Sequence, residues 1–414
     1  MRWHEPRLQL RGSAVVALVA FLTLAVAACD FEVDDPTAIT AGDLRSSSAM
    51  TGLMVGAVRS YDDSFDRNVM FSALVADEMI AAGSWITWHE ASKQGIIDPD
   101  AYEGDHVNIP WRSWRELQRA RGDADEALEW MEDVLNDADS DLRYAQVNLY
   151  AGMSYVNFGE LFCEVAFDGG PKEPISEAFG RAKVRLERAL TTVARAVDAP
   201  ITGSPNTATS GKTVGHMAHL LLARVAMEEG NYAQAIAHAG QVPHGFQWVA
   251  HYPAGQASSG WFHWMTRGEA TVQETFRNTG DPRVVVVESN VTGPDTETRL
   301  WFQQKYPLEN MNWIVGKWQE ARLIEAEARL ASQGAVASAV ALMNQVRAEW
   351  DELEPFDPGI SEEEAWENLR LETKYELWLE MRRMVYMRRW NEFPTGWATC
   401  FPIPDEEVRT NPNL

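Results

Sequence analysis

The stretch that decides the fold is residues 212–242, which read KTVGHMAHLLLARVAMEEGNYAQAIAHAGQV. Apolar and small residues recur in it every three or four positions, which is the spacing of one helix face. Gly230 stands where a left-handed residue would end the first helix, and small residues such as Ala223 and Ala235 let two helices approach closely. These offsets are those of a tetratricopeptide repeat, so the segment predicts an antiparallel helix pair.

Two further copies of this pattern lie on either side of it. Residues 318–348 repeat it with Gly334 at the position of Gly230, and a looser copy lies within residues 110–197. Helix pairs of this kind bury their apolar faces only by stacking on one another. The sequence therefore predicts a mostly α fold, a tetratricopeptide-like superhelix of helical repeats with long irregular loop insertions.

A long aromatic insertion, residues 243–312, separates the last two repeats. It combines Trp and Tyr with Gly, Pro and Asn, and it has one strand-like run at residues 284–287. Long ordered loops on a rigid scaffold often carry function, so we expect this insertion to contribute to a binding site. A C-terminal helix and tail, residues 361–414, complete a domain that begins at about residue 42.

The amino terminus has the features of an export signal. Three arginines precede an apolar run at residues 14–26, which rises only about 20 Å as a helix and is too short to span a bilayer. Residues 26–29, Val-Ala-Ala-Cys, resemble the bacterial lipobox, in which the cysteine is acylated and becomes the first residue. We therefore predict a lipoprotein signal peptide at residues 1–28, palmitate or a similar acyl chain on Cys29, and an acidic tether at residues 29–41. The alternative is an ordinary cleavage site that precedes a cysteine.

The charge of the chain excludes one class of partner. The sequence contains 61 acidic and 36 basic residues, a formal net charge of -25. Such a chain is repelled by phosphate backbones, so nucleic acid is not an expected partner. The 45% hydrophobic content is that of a folded protein rather than a disordered one.

Several motifs, collinear over nearly the whole mature chain, resemble those of the SusD/RagB family of nutrient-binding outer-membrane lipoproteins. In chain order they are Asp77-Glu78, Ile109-Pro110-Trp111, residues 155–165, Asp281-Pro282-Arg283, residues 325–328, residues 344–347, Glu376-Leu377, Arg388-Arg389-Trp390, residues 401–404 and residues 411–414. The chain departs from the family pattern at Thr373, where Arg is usual, at Met381, where Gly is usual, and at Arg121, near a usual Asn.

The resemblance implies a non-enzymatic protein that is lipid-anchored at the cell outer membrane and faces the exterior. It would bind an extracellular nutrient, an oligosaccharide or a peptide, and pass it to a SusC-like TonB-dependent transporter. Two other functions stay open: a helical-repeat envelope scaffold that binds another protein, and a glycan hydrolase.

Two aromatic clusters are the candidate ligand site. Trp85, Trp88 and His89 lie in a segment that we interpret as a loop, and Trp261 and Trp264 lie in the insertion. Flat aromatic rings can stack on the C–H faces of sugars while nearby polar groups select hydroxyls, so we expect both clusters to line one concave surface. The alternative is that these rings pack between loop and superhelix.

Metal and thiol chemistry is sparse. His216 and His219 could share a helix face, but no third ligand follows at a useful spacing. No cofactor is expected, although the acidic residues 98–105 leave a loosely bound Ca²⁺ open. Cys163 and Cys400 would lie outside the cytoplasm, where they are either bridged by a disulfide or buried as free thiols.

Overall fold

The computed structural model describes residues 46–99, 108–196, 198–205, 209–252 and 260–414. The predicted signal peptide, Cys29 and the tether lie outside these residues. No helix in the described ranges is long and apolar enough to cross a membrane.

Helices make up most of the described chain. They are α1 (Met50–Val75), α2 (Ile86–His89), α3 (Ile109–Val134), α4 (Leu142–Leu161), α5 (Ile175–Val193), α6 (Gly211–Glu228), α7 (Tyr232–Ala239), α8 (Gly260–Thr266), α9 (Trp318–Gln333), α10 (Val336–Arg347), α11 (Glu362–Glu376), α12 (Arg383–Arg389) and α13 (Asp405–Thr410). Along the repeats, α4 packs on α5, α5 on α6, α6 on α7, α7 on α9, α9 on α10, and α10 on α11. The predicted mostly α, tetratricopeptide-like fold is therefore confirmed.

The two clearest repeats turn at the glycines identified in the sequence. Gly230 follows α6 with a φ of 69°, and Gly334 ends α9 with a φ of 57°. This left-handed backbone costs a residue with a side chain roughly 1–2 kcal/mol, which is why glycine stands at both positions. At α6, Ser210 and Thr213 form a reciprocal capping box that fixes where the helix begins.

Within the described ranges, short strands form four separate two-stranded antiparallel sheets. The strands are β1 (Met79–Ala81), β2 (Glu164–Val165), β3 (Glu173–Pro174), β4 (Gln247–Ala250), β5 (Ala270–Val272), β6 (Val286–Thr292), β7 (Arg299–Gln303) and β8 (Trp313–Lys317). They pair as β1 with β5, β2 with β3, β4 with β8, and β6 with β7. The insertion is thus more regular than predicted, because its strands do not alternate buried and exposed residues: β5 is buried throughout and β6 is mostly exposed.

The insertion is joined to the helical body through these sheets. Strand β5 pairs with β1, which follows α1, and β4 pairs with β8, which leads directly into α9. One large apolar core runs through the helices and the insertion, and a smaller one lies among α9, α10 and α11. The insertion therefore has a fixed position on the repeats.

Cys163 and Cys400 are joined by a disulfide, with their Cα atoms 5.2 Å apart. Beside the bridge, the Cys163 N–H donates to the Phe401 carbonyl at 2.9 Å, and the Phe401 N–H donates to the Leu161 carbonyl at 2.7 Å. The end of α4 and the C-terminal tail are thus connected both covalently and through the backbone. Of the two alternatives for these cysteines, the structure contains the bridge.

Buried ion pairs connect segments that are far apart in the sequence. Arg382 donates to Glu160 at 2.6 Å, and Arg224 donates to Glu320 at 2.6 Å, with all four side chains at most 4% exposed. A buried charge is tolerated only with a close partner, so each pair fixes the register of two distant helices or turns.

The structure explains one departure from the family pattern, the presence of Met381 where Gly is usual. Its φ is 62°, the left-handed region that favours glycine, and its side chain is 1% exposed. The family's usual Gly suits this backbone, whereas here a buried side chain occupies it, so apolar packing offsets the conformational cost.

Candidate functional site

The two predicted aromatic clusters meet, but they meet inside the core. Trp88 is fully buried, and its ring packs edge-on against Trp85 at 4.6 Å and against Trp264 at 5.2 Å between centroids. Trp264 is 8% exposed and also contacts Phe71 of α1. These rings fill the junction between the insertion and α1. The expectation that Trp88 and Trp264 present open faces to a ligand is therefore wrong.

Trp261 is also a packing residue. It is 1% exposed and lies edge-on to Trp313, with 5.0 Å between the ring centroids. Tyr306 stacks on the Trp313 ring, with 3.9 Å between the centroids. The physical reason is common to all three tryptophans. Large apolar rings gain most when their whole surface leaves water, and neighbouring rings in edge-on contact achieve this.

Trp85 and His89 keep part of their surface in solvent. The Arg267 guanidinium lies 5.4 Å from the Trp85 ring centroid, and His89 Nε2 lies 2.8 Å from the Gly83 carbonyl. Residues 86–89 form α2 rather than the predicted loop, and a π-helical turn at residues 90–94 follows it. Of the five predicted ligand residues, these two are the ones that are half-buried rather than buried.

A concavity lies where a different part of the insertion meets the last repeat. We call this space, about 510 Å³ in volume, the main cavity. Its walls come from β4, the Asp-Pro-Arg turn at residues 281–283, residues 304–305, the β8–α9 junction and the segment after α10. With Glu376 of α11, six separated segments converge, which no single stretch of sequence reveals.

The upper walls of the main cavity combine aromatic and amide groups. Trp350 is half-buried there and Trp318 lies deeper, with the His244 ring 4.4 Å from that of Trp318. The side chains of Gln247 and Gln304 are exposed at the wall. An amide offers both donors and an acceptor, so this lining can donate hydrogen bonds to ligand hydroxyl groups and accept hydrogen bonds from them.

The floor of the main cavity is a network of buried ion pairs. Lys317 Nζ lies 2.9 Å from Glu376 Oε1 and 2.7 Å from Glu380 Oε1, and Lys305 Nζ lies 2.6 Å from the same Glu380 oxygen. Burial alone would lower the pKa of Lys317, but the charges of Glu376 and Glu380 hold it above its ordinary value. Burial lowers the pKa of Lys305.

One acceptor in this floor lacks a hydrogen-bond donor. Glu376 is 3% exposed at its side chain, and its Oε2 makes no hydrogen bond, with Arg283 Nη1 at 3.6 Å. A buried carboxylate oxygen without a hydrogen-bond donor is costly, and the nearby Arg283 guanidinium offsets part of this cost.

A second, smaller cavity of about 250 Å³ adjoins the main cavity at Gln304. Phe262, Phe302 and Pro307 line it, together with part of Trp261. The two cavities differ in character, because this one is mainly aromatic while the main cavity is polar at its floor. Together they offer an elongated surface on the insertion side of the repeats.

The sequence singled out the insertion but missed the residues that line the cavities. Gln304 lies in the predicted insertion, whereas Trp350 and Glu376 lie more than thirty residues after its last residue. One sequence feature points to Trp350: it comes just after the repeat at residues 318–348, where the end of a helix leaves a large ring partly uncovered.

The described part of the chain holds no cluster of three or more His, Cys, Asp or Glu side chains arranged to bind a metal. Asp100, Glu103 and Asp105, the core of the acidic segment considered for Ca²⁺, lie outside the described residues.

The fold and cavities define a class: a helical-repeat protein whose insertion bears a polar and aromatic binding surface. No family model and no curated relative matches the sequence. Solved structures do match. A SusD superfamily protein from Parabacteroides distasonis superposes with a TM-score of 0.69 at 12% identity, covering 91% of this chain and 99% of that one.

Two further structures show the same similarity. A SusD superfamily protein from Bacteroides vulgatus has a TM-score of 0.66 at 15% identity, covering 88% of this chain and 97% of that chain. A laminarin-binding SusD-like protein has a TM-score of 0.67 at 18% identity, covering 89% and 98%. The chain thus has the SusD-like fold, and the resemblance predicted from its motifs is confirmed at the level of the fold.

Proposed function

We propose that this chain is a SusD-like lipoprotein that binds an extracellular oligosaccharide in the main cavity and passes it to a TonB-dependent outer-membrane transporter. The observation that carries the proposal is the shared fold with a laminarin-binding SusD-like protein, combined with a cavity of fitting chemistry. Its volume of about 510 Å³ lies within the range of small-ligand sites, about 300–1,000 Å³.

The lining of the cavity supports a sugar. A pyranose ring has an apolar C–H face, for which the half-buried Trp350 offers a flat partner, and hydroxyls that the amides of Gln247 and Gln304 can bind. The adjoining aromatic cavity would take a second sugar unit, which favours an oligosaccharide over a monosaccharide.

The charge of the floor favours a neutral ligand. Arg283, Lys305 and Lys317 are each paired with carboxylates at 2.9 Å or closer. Cations that are already neutralised gain little from an added anion and would lose their present partners. We therefore expect neutral glycans to bind more tightly than uronic-acid polymers or acidic peptides.

The site is tested by calorimetric titration of soluble protein that starts at residue 30 against neutral α- and β-glucan oligosaccharides and a peptide library. Trp350→Ala should weaken glycan binding about tenfold, the equivalent of about 1.4 kcal/mol. Trp366→Ala is the matched control, since Trp366 is another half-buried tryptophan but lines a separate surface pocket with Trp390. Equal loss in both variants, or no glycan binding by the unaltered protein, would contradict the proposal.

The anchor and the transporter need separate tests. Growth in labelled palmitate should mark the mature chain, and Cys29→Ser should abolish the label. A pull-down from outer membranes should recover a transporter barrel in stoichiometric amount. Recovery of soluble partners alone would favour the envelope scaffold, and release of shortened glycans from bound substrate would favour the hydrolase.

A further inference from the structure

Two histidines meet at the surface between the helices of the best-defined repeat. His219 lies on α6 and His238 on α7, and their Nδ1 atoms are 3.0 Å apart. The ring centroids are 5.3 Å apart and the planes are tilted by 34°. Both side chains are half-buried, so the pair is fixed by the packing of α6 on α7 yet open to solvent on one side.

The spacing of the two nitrogens is that of neighbouring ligands on one metal ion. Metal–nitrogen bonds of about 2.0–2.1 Å place two tetrahedral ligands about 3.3 Å apart and two adjacent square-planar ligands about 2.9 Å apart. The observed 3.0 Å, at which one Nδ1–H can donate to the other Nδ1 in a hydrogen bond, lies between these values. A bound ion would replace this hydrogen bond: with both protons on Nε2, a rotation of the rings directs both Nδ1 lone pairs at a common ion.

The charged groups around the pair act on a cation in both directions. Glu187, on α5, attracts positive charge at His238, and His216 lies one turn before His219 on α6. His216 also has a buried Nε2 without a hydrogen-bond partner. Lys212 opposes a cation near His216. In the described chain these groups do not form a three-ligand cluster, so water would complete the coordination.

We propose that His219 and His238 form a two-imidazole site for a divalent transition-metal ion, with Cu²⁺ bound in preference to Zn²⁺. Imidazole suits both ions, and Cu²⁺ stands highest in the general order of affinities. Because the ligands come from two helices, a bound ion links α6 to α7. The site is separate from the main cavity and does not depend on the proposed glycan binding.

The test uses the chain from residue 30 without a histidine tag, titrated with Cu²⁺ and with Zn²⁺ by calorimetry. We expect one Cu²⁺ per chain, weaker Zn²⁺ binding, and a loss of Cu²⁺ affinity of at least about tenfold in His238→Ala. His263→Ala, which removes an exposed histidine on α8, should bind Cu²⁺ as the unaltered protein does.

Two measurements on the unaltered protein guard against a variant that fails to fold. Electron paramagnetic resonance of the Cu²⁺ complex should show two imidazole nitrogens, and Cu²⁺ should raise the thermal midpoint because it binds only the folded pair. Unchanged affinity in His238→Ala, tighter Zn²⁺ than Cu²⁺ binding, or a spectrum with a single imidazole would each overturn the proposal.

Discussion

The ion pair between Glu160 and Arg382 gives the sharpest test of how this fold is held together. The two side chains are 1% and 2% exposed, and Arg382 donates to Glu160 at 2.6 Å. Replacing Arg382 with Met leaves the Glu160 carboxylate buried without its main partner. Breaking a buried pair in this way costs about 3–5 kcal/mol. Because typical domains have only about 5–15 kcal/mol of unfolding free energy, this loss would be a large fraction of the total.

The effect of Arg382→Met should depend on pH. Burial acts to raise the pKa of Glu160, but Arg382 holds it below its ordinary value of 4.5, so the pair contributes stability above that pH and loses it below. Without Arg382, we expect the folded-state pKa of Glu160 to lie above 4.5. A carboxylate whose pKa is raised in the folded state destabilises the fold at neutral pH. It destabilises the fold less as the pH falls toward the pKa of the unfolded state. The deficit of the variant should therefore shrink between about pH 7 and about pH 5.

Urea unfolding followed by circular dichroism measures these changes. The double variant Glu160→Gln with Arg382→Met removes both charges and should be more stable than the sum of the single changes predicts. Arg119→Met is the control, since Arg119 is 64% exposed and pairs with Asp123 at 3.7 Å, so its loss should change stability by at most about 0.5 kcal/mol. If Arg382→Met costs no more than Arg119→Met, or if the two single changes are additive, the reasoning fails.

Three further predictions concern local features of the fold. The disulfide joins residues 237 apart in sequence, so Cys163→Ser with Cys400→Ser should lower the unfolding free energy by about 5 kcal/mol in the chain-entropy estimate. Adding reductant to the unaltered protein should lower its unfolding free energy by the same amount. Gly230→Ala should cost about 1 kcal/mol in chemical denaturation because the added Cβ meets open space but a left-handed backbone, whereas Gly122→Ala inside α3 should stabilise by up to about 1 kcal/mol. Burial raises the pKa of Asp62 to about 8, so the stability that its protonation contributes is full below the unfolded-state pKa of 3.8 and is lost as the pH rises to about 8. Asp62→Asn should therefore flatten this decline of unfolding free energy with pH, measured in urea titrations. Parallel pH curves for the variant and the unaltered protein would contradict the prediction.

The repeats could be predicted from the sequence because they rest on local rules. Gly230 and Gly334 mark turns that need a left-handed backbone, and the small residues beside them permit close helix packing. Both requirements act within about thirty residues, so a single stretch of sequence contains all the information needed. The motifs that resemble SusD/RagB proteins are of the same kind, since each is a short run with a fixed spacing.

The candidate site could be predicted only in part. The aromatic insertion was recognised, but Trp88, Trp261 and Trp264 proved to be core residues. A tryptophan has the same sequence signature whether its faces are covered or open, because coverage depends on rings such as Trp313 that arrive from elsewhere in the chain. His238 was missed beside His219 for a related reason, since their contact depends on how α6 packs against α7.

The sequence by itself determined the helical class, the positions of the repeat turns and the acidic character of the chain, because periodicity, glycine geometry and charge are properties of neighbouring residues. The tertiary structure alone decided which tryptophans are buried, that Cys163 reaches Cys400, and which side chains line the main cavity. These features depend on contacts between segments up to hundreds of residues apart, and the free energy that selects them comes from burial and pairing in the assembled fold.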